Sequence, residues 1–131
     1  MIVKIEDTIY KVSWKHTMPT ETRSKLFGIV LEKSNGSTRC TIEVIKDMTT
    51  NPYVTELVDT AVAFCHSNDQ FNKSTGRKYS LRKALNKWLE MLLIKNTIQG
   101  LVNPSTYRKF VNQAKEERKL FWDAYFKEHK K

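Results

Sequence analysis

KSTGRKYSLRK, residues 73–83, lies between a first half that alternates like a sheet and a second half with helical periodicity. The stretch places five cations and no acid where a loop is expected to enter a helix. A helix N-terminus carries partial positive charge and unpaired N–H groups, so it normally attracts Asp or Glu. Because Gly76 lets the backbone approach a ligand closely, the pattern favours a bound phosphate, with a solvated basic turn as the alternative.

The first residues predict a β-hairpin. Met1–Ile5 pairs with Ile9–Lys15 across a turn at Glu6-Asp7. Alternation along the second of these strands places three large side chains on one face, namely Tyr10, Val12 and Trp14. The following residues, Thr17–Lys25, contain Pro19 and several hydroxyl side chains and are predicted to form a loop.

A second hairpin is predicted to join Leu26–Leu31 to Thr38–Ile45. The turn Ser34–Ser37 contains Asn-Gly, which supplies left-handed backbone conformations. The residues that follow are ambiguous, because Asn51-Pro52 suits a helix start whereas Thr60–His66 has the pattern of a buried strand. We favour a fifth strand.

The second half predicts two helices. Between Tyr79 and Lys95 the apolar residues fall on one stripe: Leu81, Ala84, Leu85, Trp88, Leu89, Leu92 and Leu93. Asn103 can cap a last helix that begins at Pro104. Its apolar face contains Tyr107, Phe110, Val111, Ala114, Phe121, Trp122, Tyr125 and Phe126. Strands first and helices afterwards indicate an α+β fold with an antiparallel sheet of four to five strands followed by two C-terminal helices.

Length and composition are those of one globular domain. The 131 residues are expected to form a single domain, with residues 1–70 mainly β and residues 76–131 mainly α. No apolar run is long enough to span a membrane, and the two cysteines are expected to be buried free thiols, so we expect a cytoplasmic protein. The net charge of +9 attracts anions, which leaves nucleic acid, small phosphorylated ligands, an acidic protein surface or no specific partner as candidates. Charge alone favours nucleic acid in a small basic protein.

Catalysis is not expected from this sequence. His16, His66 and His129 have no neighbouring pattern that marks a nucleophile and its base. The cysteines and histidines also lack the spacing of a zinc site, so neither a metal nor another cofactor is expected.

Binding residues are predicted around the basic stretch. Phe71 can stack on a base while Arg77, Lys78 and Arg82 hold phosphate, or it can fill the junction between sheet and helix. Asp69 can accept from an adenine amine or a ribose hydroxyl, or form an Asx turn.

Arg118 is a second candidate. It projects from the apolar stripe of the last helix, where a guanidinium needs a partner. That partner is either a carboxylate such as Glu90 or a ligand phosphate held bidentately.

Residues 63–85 contain the pattern A-x-C-x-x-x-D-x-F-x-K-x-x-G-R-K-x-x-L-x-x-A-L, which resembles a pattern of small bacteriophage proteins. With strands first and two helices last, the chain resembles the phage anti-Thoeris sponge proteins. It differs from them in carrying Ile94–Lys109 as extra length between the helices.

The resemblance implies a homo-oligomer without catalytic activity in the cytoplasm of an infected bacterium. Such a protein sequesters a cyclic nucleotide signal, of the cyclic ADP-ribose type or a cyclic oligonucleotide, and so blocks an immune effector. The resemblance implies ligand-binding roles for Phe71, Arg77 and Arg118, and exposed aromatic residues such as Trp14 or Trp122 could form the subunit interface. The alternative is a basic phage protein that binds nucleic acid or inhibits a host complex that handles it.

Overall fold

The computed structural model describes residues 1–24, 26–66, 70–98 and 104–129. Six strands precede two helices, which is the predicted α+β arrangement. The elements are β1 (Ile2–Ile5), β2 (Thr8–Thr17), β3 (Thr20–Arg23), β4 (Val30–Ser34), β5 (Ser37–Asp47), β6 (Val54–Phe64), α1 (Lys73–Ile98) and α2 (Pro104–Glu128).

Four strands form an antiparallel sheet in the order β1-β2-β5-β6. The predicted hairpin of β1 and β2 is present, and its turn contains Glu6 with a φ of 54°. The choice of strand over helix after Asn51-Pro52 is also confirmed, since β6 is an eleven-residue edge strand. Antiparallel neighbours allow one face of such a sheet to pack on helices while the other meets water.

The second predicted hairpin is wrong. β4 pairs with β3 in a separate two-stranded sheet, and β5 pairs with β2 and β6. The segment predicted as the loop Thr17–Lys25 therefore contains a strand. Gly36 does adopt the expected left-handed backbone, with a φ of 94°, but it redirects the chain from β4 into the main sheet. Cys40 lies opposite Trp14 and Ile42 opposite Val12, so core packing decides the partner of β5.

The first helix begins earlier than its apolar stripe predicts. α1 starts at Lys73, and Asn72 caps it by accepting a hydrogen bond from the backbone N–H of Thr75 at 3.1 Å. Gly76 lies within the helix, where its N–H donates to the Asn72 carbonyl at 2.9 Å. A Cβ at Gly76 would overlap the side-chain oxygen of Thr38 on β5, so this glycine allows close packing of helix on sheet.

The core lies between the helices and one face of the main sheet. The sheet contributes the buried residues Val3, Ile5, Val12, Cys40 and Ile42. The helices contribute Leu81, Ala84, Leu85, Phe121 and Tyr125. Of the two cysteines, Cys40 is buried, which raises the pKa of its thiol to about 12, whereas Cys65 is only half-buried. Neither of the helices, over its described residues, combines the length and apolar character needed to cross a membrane.

Candidate functional site

A groove of about 700 Å³ lies between α1 and α2. Two contacts across the groove show the relative direction of the helices. Arg118 on α2 donates a hydrogen bond to Asn86 on α1, and Lys78 on α1 lies over the ring of Phe126 on α2. Eight residues separate these contacts on each helix, so the helices run antiparallel and remain opposite over about 12 Å at 1.5 Å per residue. The walls are therefore two successive rows of side chains, one from each helix.

Five cations line this groove, and no acidic residue does. α1 supplies Lys78 and Arg82, and α2 supplies Lys115, Arg118 and Lys119. No carboxylate of the described residues forms an ion pair with any of the five, since the ion pairs of this part of the chain lie elsewhere. Like charges on successive turns of a helix repel one another, so the groove favours an anion.

Aromatic side chains lie between the cations. Trp122 and Phe126 are one turn apart on α2, with ring centroids 5.8 Å apart and planes inclined by 27°. Phe126 is 55% exposed, and the ammonium group of Lys78 lies 5.9 Å from its ring centre. Tyr79 completes the lining at the α1 side. Planar rings beside cations suit a ligand that has both phosphate groups and bases.

Arg118 forms no ion pair with a carboxylate of the residues that the structure describes. Its guanidinium Nη1 donates to the Asn86 side-chain oxygen at 2.9 Å, in place of the Glu90 considered from the sequence. A neutral amide orients the guanidinium without cancelling its charge. The remaining N–H groups of the fork are suited to phosphate oxygens.

The groove contains three of the predicted site residues: Lys78, Arg82 and Arg118. Phe71 lies elsewhere. Its ring is edge-on to His16 at 6.1 Å between centroids, and it packs on Gly36, where a Cβ would lie 2.5 Å from the ring. These contacts are those of a residue that fills the junction of sheet and helix.

Arg77 also points away from the groove. Its backbone carbonyl accepts the indole N–H of Trp14 at 3.2 Å, and its guanidinium Nε is buried without a hydrogen-bond partner among the described residues. The pKa of His16 is lowered by burial and then by the nearby charges of Arg77 and Lys73. Asp69, the remaining predicted residue, lies outside the described residues.

The basic stretch does begin a helix, as predicted, but Gly76 does not offer a free N–H group to a phosphate. Gly76 is the fourth residue of α1, and its N–H is already paired within the first turn. The cations Lys78 and Arg82 instead act from the side of the helix, where they face α2.

Sequence reasoning missed several lining residues, namely Tyr79, Asn86, Lys115, Lys119, Trp122 and Phe126. The last two were assigned to the apolar face of α2. A signal was present, because the aromatic residues of α2 occur as adjacent pairs, 121 with 122 and 125 with 126. Adjacent positions differ by about 100° around a helix, so the two members of a pair face different directions. Phe121 and Tyr125 are buried, and their neighbours line the groove.

The groups of the groove that could transfer a proton or attack a phosphate are the amines of Lys78, Lys115 and Lys119 and the hydroxyl of Tyr79. No histidine, carboxylate, serine or cysteine lies among its lining residues. Over the described ranges, no three His, Cys, Asp or Glu residues come together in a way that could hold a metal ion. The arrangement of cations and rings suits anion recognition and ring stacking.

Comparison with known proteins gives no relative: no protein-family model, curated protein or solved structure matches the chain.

Proposed function

We propose that this protein binds a phosphorylated nucleotide in the groove between α1 and α2 and holds it without turnover. The observation that carries the proposal is the lining of the groove, where five cations and three aromatic rings meet without a carboxylate. Its volume of about 700 Å³ falls in the range of small-molecule sites, roughly 300–1,000 Å³. The ligand class that fits is one with at least two phosphates and one or two bases.

A cyclic nucleotide signal, of the cyclic ADP-ribose type or a cyclic oligonucleotide, is the ligand we propose. Arg82 and Arg118 supply planar guanidinium forks for the phosphates, and Trp122 with Phe126 supplies ring faces for adenine. Binding without cleavage would make the protein a sponge. Together with the resemblance to anti-Thoeris proteins, sequestration of such a signal supports our proposal of a phage anti-defence role in the host cytoplasm.

The test is binding followed by recovery of the ligand. Protein is loaded with cyclic ADP-ribose isomers and with cyclic di- and trinucleotides, washed and heated, and the released molecules are identified by mass spectrometry. We expect one of them to be recovered intact. Arg82→Ala with Arg118→Ala should abolish recovery. The matched control replaces Lys15 and Arg39, an exposed cross-strand pair on the opposite face of the sheet, by Ala and should leave recovery unchanged.

The proposal would be contradicted if no cyclic nucleotide bound, or if the Lys15 and Arg39 control lost as much recovered ligand as the Arg82 and Arg118 variant. Recovery of a linear or cleaved product would contradict sequestration without turnover.

Binding of single-stranded nucleic acid is the second candidate. The favouring observation is that cations recur on successive turns of both helices beside two stacked rings, which is the pattern of a backbone-tracking groove. Salt separates the two candidates. For a single strand, the logarithm of the association constant falls with the logarithm of the salt concentration, with a slope of about −0.7 for each phosphate contacted. Five phosphate contacts therefore give a slope of about −3.5. A ligand with two phosphates gives a much shallower slope.

A further inference from the structure

The hairpin of β3 and β4 stands away from the rest of the fold. Its two strands pair with each other, and their Cα atoms come within 8 Å of no other helix or strand that the structure describes. The turn at its end is ordered by backbone hydrogen bonds, from the Ser24 N–H to the Ile29 carbonyl at 2.7 Å and from the Gly28 N–H to the Ser24 carbonyl at 2.9 Å. We call this hairpin the β3–β4 arm, and residues 26–29 form its tip.

The tip of the arm presents large apolar side chains to solvent. Leu26 is 88% exposed, Phe27 76% and Ile29 60%. One exposed hydrophobic residue is ordinary, but a cluster of three on an ordered turn marks a contact surface. Because the tip is this exposed, it does not occupy any cavity of its own chain.

An apolar cavity near the start of α1 can receive such a tip. It has a volume of about 600 Å³, and Ala63, Phe64, Phe71 and Tyr79 give it apolar surface. Its other described lining residues include no Lys, Arg, Asp or Glu. Phe64, at the end of β6, is itself 77% exposed. Arm and cavity therefore share apolar character in a chain whose net charge is +9.

The root of the arm adjoins this cavity. Pro19, Thr20, Lys33 and Ser34, at the base of the hairpin, line a hollow with Phe71, and Phe71 also lines the apolar cavity. A five-residue strand such as β4 spans about 17 Å, so the tip lies about that far from the root of the arm. With root and cavity side by side, a two-fold axis lets each arm reach the cavity of the other chain, and the contact closes after two copies.

We propose that the β3–β4 arm inserts its tip into the apolar cavity of a second copy, and that the reciprocal exchange forms a dimer. This interface differs from the aromatic surfaces considered from the sequence. Trp14 donates to the Arg77 carbonyl and packs against Tyr125, and Trp122 lines the groove.

The oligomeric state tests the exchange. Sedimentation velocity should give wild-type protein twice the chain mass of 15.4 kDa. Phe27→Glu in the arm and Phe64→Glu in the cavity should each give monomers, because each breaks both contacts of the pair. Leu57→Glu is the matched control, since Leu57 is 61% exposed on β6 outside both surfaces, and this variant should remain dimeric. A monomeric wild type, or a dimer that survives either Phe27→Glu or Phe64→Glu, would overturn the proposal.

Mixing the two monomeric variants sharpens the test. A mixed pair places the intact arm of the Phe64→Glu chain against the intact cavity of the Phe27→Glu chain, so one of its two contacts is restored. We expect dimers to reappear in the mixture. Absence of mixed dimers from two variants that each retain wild-type circular dichroism would overturn reciprocal exchange.

Photocrosslinking removes the dependence on destabilising variants. With benzoylphenylalanine in place of Phe27, irradiation should give a covalent dimer whose crosslinked peptide contains residues 63–79. A crosslink within one chain, to another region or to no protein at all would contradict the exchange.

Discussion

The two sides of α1 carry similar cations in different surroundings. On the side facing β6, the ammonium group of Lys83 donates to the Val62 carbonyl at 3.2 Å and that of Lys87 to the Thr60 carbonyl at 3.4 Å. Lys87 also forms an ion pair with Asp59 at 3.3 Å. On the side facing α2, Lys78 and Arg82 have no such partners among the described residues. The comparison separates cations that fasten the helix to the sheet from cations that are available to a ligand.

The largest effect is expected from the α2-facing side. Replacing Arg82 and Arg118 by Ala should weaken nucleotide binding by about 100-fold, because a hydrogen bond between charged groups contributes about 1.5–3 kcal/mol. Calorimetric titration measures this change. The corresponding β6-facing variant, Lys83→Ala with Lys87→Ala, should change the affinity less than about twofold. Equal losses in the two double variants would remove the distinction between the two sides.

Removal of Lys87 should lower stability instead. Lys87→Ala leaves the Asp59 carboxylate, whose side chain is only 10% exposed, without its ammonium partner. A buried group that loses its partner costs about 1–3 kcal/mol, and urea unfolding measures the loss. Lys78→Ala is the matched control and should change the free energy of unfolding by less than about 0.5 kcal/mol. A larger loss of unfolding free energy in Lys78→Ala than in Lys87→Ala would contradict the role of Lys87 in fastening α1 to the sheet.

The difference between the two sides of α1 depends on the close packing of this helix on the sheet at Gly76. Gly76→Ala should destabilise the protein by about 1–3 kcal/mol, although alanine favours helices, because the added methyl group overlaps the Thr38 side chain, which is fully buried. Thermal unfolding checks it. Thr38→Ala tests the same contact, since it removes the hydroxyl oxygen that the new methyl group would overlap, so Gly76→Ala should cost less stability in the Thr38→Ala background than in the wild type. A stabilising Gly76→Ala would show that the helix does not pack as described.

Unliganded protein should gain stability when a groove cation is removed. Lys115 and Lys119 are like charges four residues apart on α2, an arrangement that costs about 0.2–0.5 kcal/mol. Lys115→Gln, which removes the lysine that has Arg118 and Lys119 but no acidic residue three or four positions away, should therefore raise the melting temperature slightly at low salt, with little change at high salt, while nucleotide binding weakens. Lys109→Gln should show no such gain, because this exposed lysine of α2 has no charged residue three or four positions away. A gain that is independent of salt would point to a cause other than repulsion.

The smallest effect concerns pH. The pKa of His16 is lowered, so between that value and its ordinary pKa of 6.5 the unfolded chain binds a proton that the folded chain does not. His16 therefore contributes stability that is present above pH 6.5 and is lost as the pH falls through the lowered pKa. His16→Gln should flatten the difference in unfolding free energy between pH 7.5 and pH 5.5. Identical pH dependence in wild type and variant would contradict the assignment.

Local patterns predicted much of this fold, and long-range packing determined the rest. Alternation in β2 correctly placed Val12 and Trp14 on the core face, and the apolar stripe of α1 correctly included Leu81 and Leu85. The partner of β5 could not be predicted in this way, because Asn35-Gly36 marks a change of direction and does not specify which strand pairs next.

The site was predicted in part for a similar reason. Lys78, Arg82 and Arg118 stand out by charge in the sequence, but their meeting depends on the antiparallel packing of two helices that are separated by a loop. Gly76 suggested a loop because its packing role involves Thr38, a residue 38 positions away. Trp122 does pack against the core, as its place on the apolar face of α2 predicted, but the sequence could not show that it and Phe126 also line a groove. A helical stripe does not show which of its edges a neighbouring helix leaves uncovered.

The most direct test of the account is a nuclear magnetic resonance titration that follows the three tryptophan indole N–H signals while cyclic nucleotide is added. Trp122 lines the groove, Trp14 is bonded to the Arg77 carbonyl, and Trp88 packs against Tyr10 and Phe121. The account predicts that the Trp122 signal shifts most, with saturation at one ligand per chain, and that Trp14 stays in place. A Trp122 signal that does not move while ligand binds would contradict the groove as the binding site.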